Sequence, residues 1–230
     1  MRSYLKEQLG VALVAFAFAA CSSAPDPAAP TPQAPGTPTM NMPAAPVVTL
    51  NDPRSDLRAG YQDAGTAAEG VELVGHVNRP AGFENPQGDL GDLLFGNSDM
   101  AFRGNTMFVG SFHGFNIYDI SGPVPQLRKS FVCPGGQGDP SIHGNLLFIS
   151  VEMPNPRIDC GTQGTQGAVD PERFRGVRIF DVSDLMNPRQ VAAVQTCRGS
   201  HTHTLVTDPD DDDNVYIYVS GAANVRPAEE

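Results

Sequence analysis

Two histidines separated by a single residue, His201 and His203, are the groups in this sequence best suited to chemistry. Alternate side chains of an extended strand share one side, so both imidazoles should point the same way. With carboxylates such as Asp99 and Asp139 nearby, they could hold a divalent metal, either Zn²⁺ or a transition ion. The competing and preferred reading is a set of hydrogen-bonding groups around a water-filled channel. The acidic run at 208–213 (DPDDDD) invites a Ca²⁺ assignment, but it lacks the glycine and terminal glutamate of an EF-hand loop and reads as a solvated turn. No Cys-x-x-Cys, nucleophile elbow, phosphate loop or zinc-protease motif occurs, so redox, hydrolase and nucleotide chemistry have no sequence support.

The elements that must position these groups are strands. Gly 24 and Pro 21 in a chain of 230 residues suit a turn-rich all-β fold and oppose helical bundles. A net charge of -11 opposes nucleic acid as a partner, because polyphosphate binding needs clustered Lys and Arg.

The N-terminal quarter has a different character. Arg2 and Lys6 precede an uncharged apolar run, residues 9–20, that ends in small residues before Cys21, the build of a signal helix. The run is short of the roughly 20 residues that span a bilayer. Phe18-Ala19-Ala20-Cys21 resembles the bacterial lipobox, which implies residues 1–21 as a lipoprotein signal peptide and Cys21 as the lipidated residue. Ser22 then fits outer-membrane delivery, facing the periplasm or the cell surface, and several acyl chains anchor where one would not. Ordinary cleavage after Ala20, giving a soluble secreted protein, is the alternative. Residues 22–70 open with a Pro/Ala-rich stretch that cannot bury enough apolar surface to offset ordering, so they read as a disordered tether and lead-in.

Residues 71–230 contain a repeat. Phe115-Asn116-Ile117-Tyr118-Asp119-Ile120-Ser121 superposes on Val177-Arg178-Ile179-Phe180-Asp181-Val182-Ser183, and each is followed by a proline-containing turn and another apolar stretch. The units run 98–133, 138–197 with an insertion at 152–175, and 201–230, the last one partial. Residues 71–78 match the fourth stretch of the others. Each full unit predicts four short strands rich in Val, Ile, Phe and Tyr, divided by Gly, Asn, Pro and Asp. The strands are apolar on both faces, as a propeller blade covered by neighbours on both sides would be. The IYDIS and IFDVS segments, with Gly114 and Gly176 before them, resemble the LVIVD-repeat β-propellers. The resemblance implies an all-β chain holding part of a propeller of four-stranded blades, an incomplete ring in which 71–78 is the closing strand. The chain is accordingly expected to be a fragment of a longer protein. Asp119 and Asp181 are expected to cap the turn after their strands.

Within such blades Asp99, Asp139, His201 and His203 should meet on one rim, at the mouth of the channel, together with the insertion. Export makes disulfides the expected state of Cys133, Cys160 and Cys197. Repeat symmetry pairs Cys133 with Cys160 and leaves Cys197 to a partner beyond residue 230; Cys160 with Cys197 is the alternative. The expected function is a lipid-anchored envelope binding module for a protein, glycan or small ligand. A metal-dependent enzyme at the channel mouth is the alternative, and catalysis is the less favoured of the two.

Overall fold

A computed structural model describes residues 52, 54–60, 63–84 and 95–230. The proposed signal segment, Cys21 and the Pro/Ala stretch lie outside the described residues. Two units are distinguished, Ser22–Val74 and a larger one that contains Gly75–Glu230. The larger is all-β. Its strands are β1 (Asn97–Arg103), β2 (Thr106–Ser111), β3 (Gly114–Asp119), β4 (Gln126–Val132), β5 (Pro140–His143), β6 (Leu146–Val151), β7 (Gly176–Asp181), β8 (Arg189–Gln195), β9 (Thr202–Asp208) and β10 (Asp211–Ser220). They form two four-stranded antiparallel sheets, β1-β2-β3-β4 and β5-β6-β7-β8, and a two-stranded sheet β9-β10. No helix among the described residues is long and apolar enough to cross a membrane.

The two large sheets are built by the same local rules. Each opens with a hairpin closed by a Gly-Asn pair: Arg103 pairs with Thr106 across Gly104-Asn105, and His143 with Leu146 across Gly144-Asn145. Both glycines have φ of 55°, the conformation that a tight hairpin needs at its first turn residue. Both sheets also shift register once between the third and fourth strands, at Ile117/Tyr118 and at Ile179/Phe180. After the third strand, Asp119 accepts the Ser121 N–H at 2.8 Å and Asp181 accepts the Ser183 N–H at 2.9 Å, so both aspartates organise their turns as expected. The carboxyl of Asp119 is held well below the usual range by Ser121 first and then by Arg128.

Alternation of side chains fixes how the sheets stack. Phe115 and Ile117 leave β3 on one face and Asn116 and Tyr118 on the other. Phe108, Phe115 and Ile117 of the first sheet join Leu147, Ile149 and Phe180 of the second in one buried core. Phe115, Phe131 and Phe180 meet with ring centroids 5.1–5.2 Å apart. The opposite face of the second sheet, Phe148, Val177 and Ile179, packs on Leu205, Val215 and Ile217 of β9-β10. Each sheet therefore buries an apolar face only by contact with its neighbour in the chain.

Residues 71–78, expected to be a closing strand, form no strand, and Val71, Leu73 and Val74 are exposed. A fourth-strand sequence needs the edge of a third strand to pair with, and the last unit provides only β9 and β10, so that pairing is not made within the described residues.

Candidate functional site

The candidate rim lies where β2, β4, β6 and β8 end and where β1, β5 and β9 begin. Asp139 immediately precedes β5, Ser141 lies in it, and Ser150 lies beside it on β6. His203 on β9 points into this corner. Its Nε2 is 2.6 Å from Ser141 Oγ, and its Nδ1 is 2.8 Å from Ser150 Oγ and 3.4 Å from Asp139 Oδ2. Ser150 Oγ reaches Ser200 Oγ at 2.8 Å, and Asp139 Oδ2 accepts the backbone N–H of His203 at 2.7 Å. A neutral imidazole offers one donor and one acceptor, so the two serine hydroxyls satisfy it completely. Its side chain is 0% exposed. Burial lowers the His203 pKa, and the neighbouring Asp139 only partly offsets this. Burial also raises the Asp139 carboxyl, with the His203 N–H acting against it and Asp99 adding to it. Asp99 holds its own strand by accepting the Met100 N–H at 2.7 Å.

His201 also faces the second sheet, but it meets a different partner: its Nδ1 is 2.6 Å from Glu152 Oε2, at the start of the insertion. Asp99, Asp139 and His203 therefore gather in one cluster, while His201 stands with Glu152. No group of three or more His, Cys, Asp or Glu side chains among the described residues is arranged to hold a metal ion. His203 is held by the two serine hydroxyls and His201 by Glu152, so the two imidazoles have separate partners.

Next to this cluster stands the insertion, from Glu152 to Arg175, which replaces the short Phe112-His113 turn of the first sheet. It is ordered by its own contacts. Ile158 N–H donates to Glu172 O at 2.8 Å, Phe174 N–H to Pro156 O at 3.0 Å, and Arg157 and Arg173 form an isolated antiparallel bridge. Arg173 donates to the Thr165 hydroxyl and to the carbonyls of Gly167 and Ala168, and it pairs with the carboxylate of Glu230. Cys160 forms a disulfide with Cys133, the pairing that repeat symmetry predicted. Cys197, expected to wait for a partner beyond residue 230, is not a free thiol.

Arg178 is the residue that sequence reading missed altogether. It lies on β7, is fully buried, and sends its guanidinium to the carbonyls of Cys133, Pro134 and Arg157 at 3.2, 3.0 and 2.6 Å. It thereby joins the second sheet, the link from the first sheet, and the insertion. Burial pulls its pKa down to about 10, with Asp159 opposing. Its position inside a repeat of apolar strands was a visible signal, since an arginine between Val177 and Ile179 must find acceptors or be expelled. Ser141 and Ser150 gave no such signal, because serine is common in strands near turns.

Position 150 differs between the repeats in a telling way. Its counterpart in the first sheet is Gly110, where an added Cβ would lie 2.0 Å from the Gly138 carbonyl oxygen. The backbone of the link fills that space in the first seam, whereas the second seam holds the Ser150 hydroxyl and the His203 ring. A surface depression lined by Asn105, Tyr118, Asp119, Arg128 and Met186 sits at the other end of the strands, away from all of these groups. No family model, no curated protein and no solved structure matches this chain.

Proposed function

We propose that the two four-stranded sheets and β9-β10 are blades of an LVIVD-type β-propeller, and that the chain is a lipid-anchored envelope binding module whose contact surface is the rim around residues 152–175. The blade assignment is supported by identical strand order, Gly-Asn hairpins and register shifts in the two sheets, and by their face-to-face apolar packing. The observation that carries the function is the insertion: one of the two four-stranded units has a segment held by a disulfide, a buried arginine and its own hydrogen bonds where the other has a short turn. Pre-ordered loops on a rigid scaffold bind at a lower entropic cost than floppy ones. Ile158 and Val169 on the insertion are exposed, and Glu152 at its start pairs with His201, so the insertion carries both the apolar and the polar groups that recognition sites use. Anchorage through Cys21 rests on the lipobox-like sequence.

Cosedimentation of the full chain with outer-membrane vesicles and with peptidoglycan tests the rim. A variant in which 153–174 is replaced by a short Gly-containing turn is expected to lose at least tenfold in apparent affinity for whichever fraction binds, with the β-sheet circular dichroism retained. Equal binding by both proteins, or none by either, would remove the rim as the contact surface.

A further inference from the structure

The insertion is fixed unevenly along its length. Its ends and second half are tied repeatedly: Phe174 N–H donates to Pro156 O and Thr165 N–H to Asn155 O, both at 3.0 Å, and Arg178 holds the Arg157 carbonyl at 2.6 Å. The tip, residues 159–164, has only local hydrogen bonds. Cys160 N–H donates to Arg157 O at 3.2 Å, Gly161 N–H donates to the Asp159 carboxylate at 2.9 Å, and the Arg157 guanidinium reaches the same carboxylate at 2.9 and 2.8 Å. Thr162 and Gln163 are exposed. Among the described residues, the one covalent or polar tie from the tip to anything outside the insertion is the Cys160 sulfur, through its bond to Cys133 and a 3.7 Å contact with the Gln190 side-chain oxygen. Cys160 is also the one non-glycine residue among those described with a left-handed backbone, at φ 62°. A residue with a Cβ stays there only where its surroundings hold it, and such positions gather at segments that change state.

We infer that the Cys133–Cys160 bond is a redox latch on this tip: a dithiol opens it in the folded protein, residues 159–164 come free, and the sheets and the rest of the insertion stay in place. The two sulfurs are unequally reachable, which sets the direction of the reaction. Cys160 is partly exposed, whereas Cys133 is 4% exposed within the core of the first seam. A thiolate of the reductant therefore attacks the Cys160 sulfur, the bond between the two cysteines breaks, and Cys133 leaves as the thiolate. The guanidinium of Arg178, which donates to the Cys133 carbonyl at 3.2 Å, places a positive charge at that residue and favours the departure. The second thiol of the reductant then displaces Cys160 from the mixed disulfide. The products are two protonated cysteines and the cyclic disulfide of the reductant, so two electrons and two protons pass from the dithiol to the protein. Exposed and strained disulfides are the ones that behave in this labile way. The latch depends on the geometry of the insertion alone and holds whatever the rim binds.

Dithiothreitol is the probe, applied to the full chain in native buffer, with alkylation of Cys133 and Cys160 and amide hydrogen exchange both followed peptide by peptide. Both cysteines are expected to become alkylated at least tenfold faster than the amides of β6 and β7 exchange. Amide exchange across 159–164 should rise at least tenfold on reduction, while β5 to β8 keep their protection, and oxidised glutathione should restore the original pattern. The Cys133→Ser/Cys160→Ser double variant carries the open state permanently, so its tip should exchange as fast as that of the reduced chain and ignore dithiothreitol. If that variant does not fold, the unsubstituted chain alone decides. Cysteines that react only in denaturant overturn the inference. So does a reduced tip that stays protected, and so does loss of protection that spreads to the strands, which would make the bond a staple of the whole unit.

Discussion

The two four-stranded sheets share strand order, hairpin chemistry and register shifts, yet they differ at one pair of equivalent positions on the third strand. In the second sheet Arg178 crosses to the preceding unit and satisfies three carbonyls. In the first sheet Asn116 occupies the same place on β3, is buried at 1% exposure, and leaves both its amide nitrogen and its oxygen without partners. Asn116 leaves β3 on the face turned away from the second sheet, where the described residues form no preceding sheet to supply acceptors like those of Arg178. Equal backbones therefore do not give equal energetics: the second unit is cross-braced to its predecessor, and the first holds a polar group that its surroundings do not satisfy.

The largest expected effect comes from removing the brace. Arg178→Met should lower stability in urea melts by about 3 to 5 kcal/mol, because three buried carbonyls lose their donor. A loss below about 1 kcal/mol would show that water replaces the guanidinium. Opening the Cys133–Cys160 bond by the double substitution to serine should cost about 3.5 kcal/mol from a loop of 27 residues, seen as a lower denaturation midpoint. Its counterpart in the comparison is Asn116→Leu, which should stabilise by about 1 kcal/mol, since the substitution deletes an unsatisfied buried amide at similar volume. Destabilisation there would mean that the amide is hydrogen-bonded in solution.

The smallest expected effect depends on pH. Burial lowers the His203 pKa in the folded state, so below about pH 6.5 the unfolded chain binds a proton that the folded one refuses. Stability from this residue is full at neutral pH and falls as pH drops through that value. Asp139 works in the opposite sense, because its raised carboxyl takes up a proton earlier in the folded state and so favours folding as the pH falls toward the ordinary carboxylate range. Melting temperatures between pH 7.5 and 5.5 should decline in the unsubstituted chain and less so in His203→Gln. An unchanged slope would assign the decline to other groups, of which His113, also lowered by burial, is the first candidate.

The strands were legible because their signals are local. Gly-Asn pairs mark hairpins, alternating apolar residues mark strands, and the interrupted match between the repeats marked the insertion at 152–175, which begins and ends between Val151 and Gly176. The Cys133–Cys160 pairing followed from the same symmetry. What could not be read depends on contacts across seams. Nothing near Ser141 or Ser150 announces a histidine from a strand some fifty or sixty residues away. His201 and His203 share a side, as their spacing requires, yet they diverge in partners because Glu152 belongs to an insertion whose path only the fold determines. The segment 71–78 shows the converse: its strand-like residues form no strand, because pairing with an edge is not written in the segment itself.

Gly110 limits how far the two seams could come to resemble each other. A hydroxymethyl group at that position would be driven into a carbonyl oxygen, so a serine–histidine knot like that of Ser150 cannot be transplanted into the first seam without prising the sheets apart. A glycine in place of Ser150 would meet no such obstacle. Divergence between the two copies is thus asymmetric: the second seam has room for its polar cluster, whereas the first has none in which to acquire one.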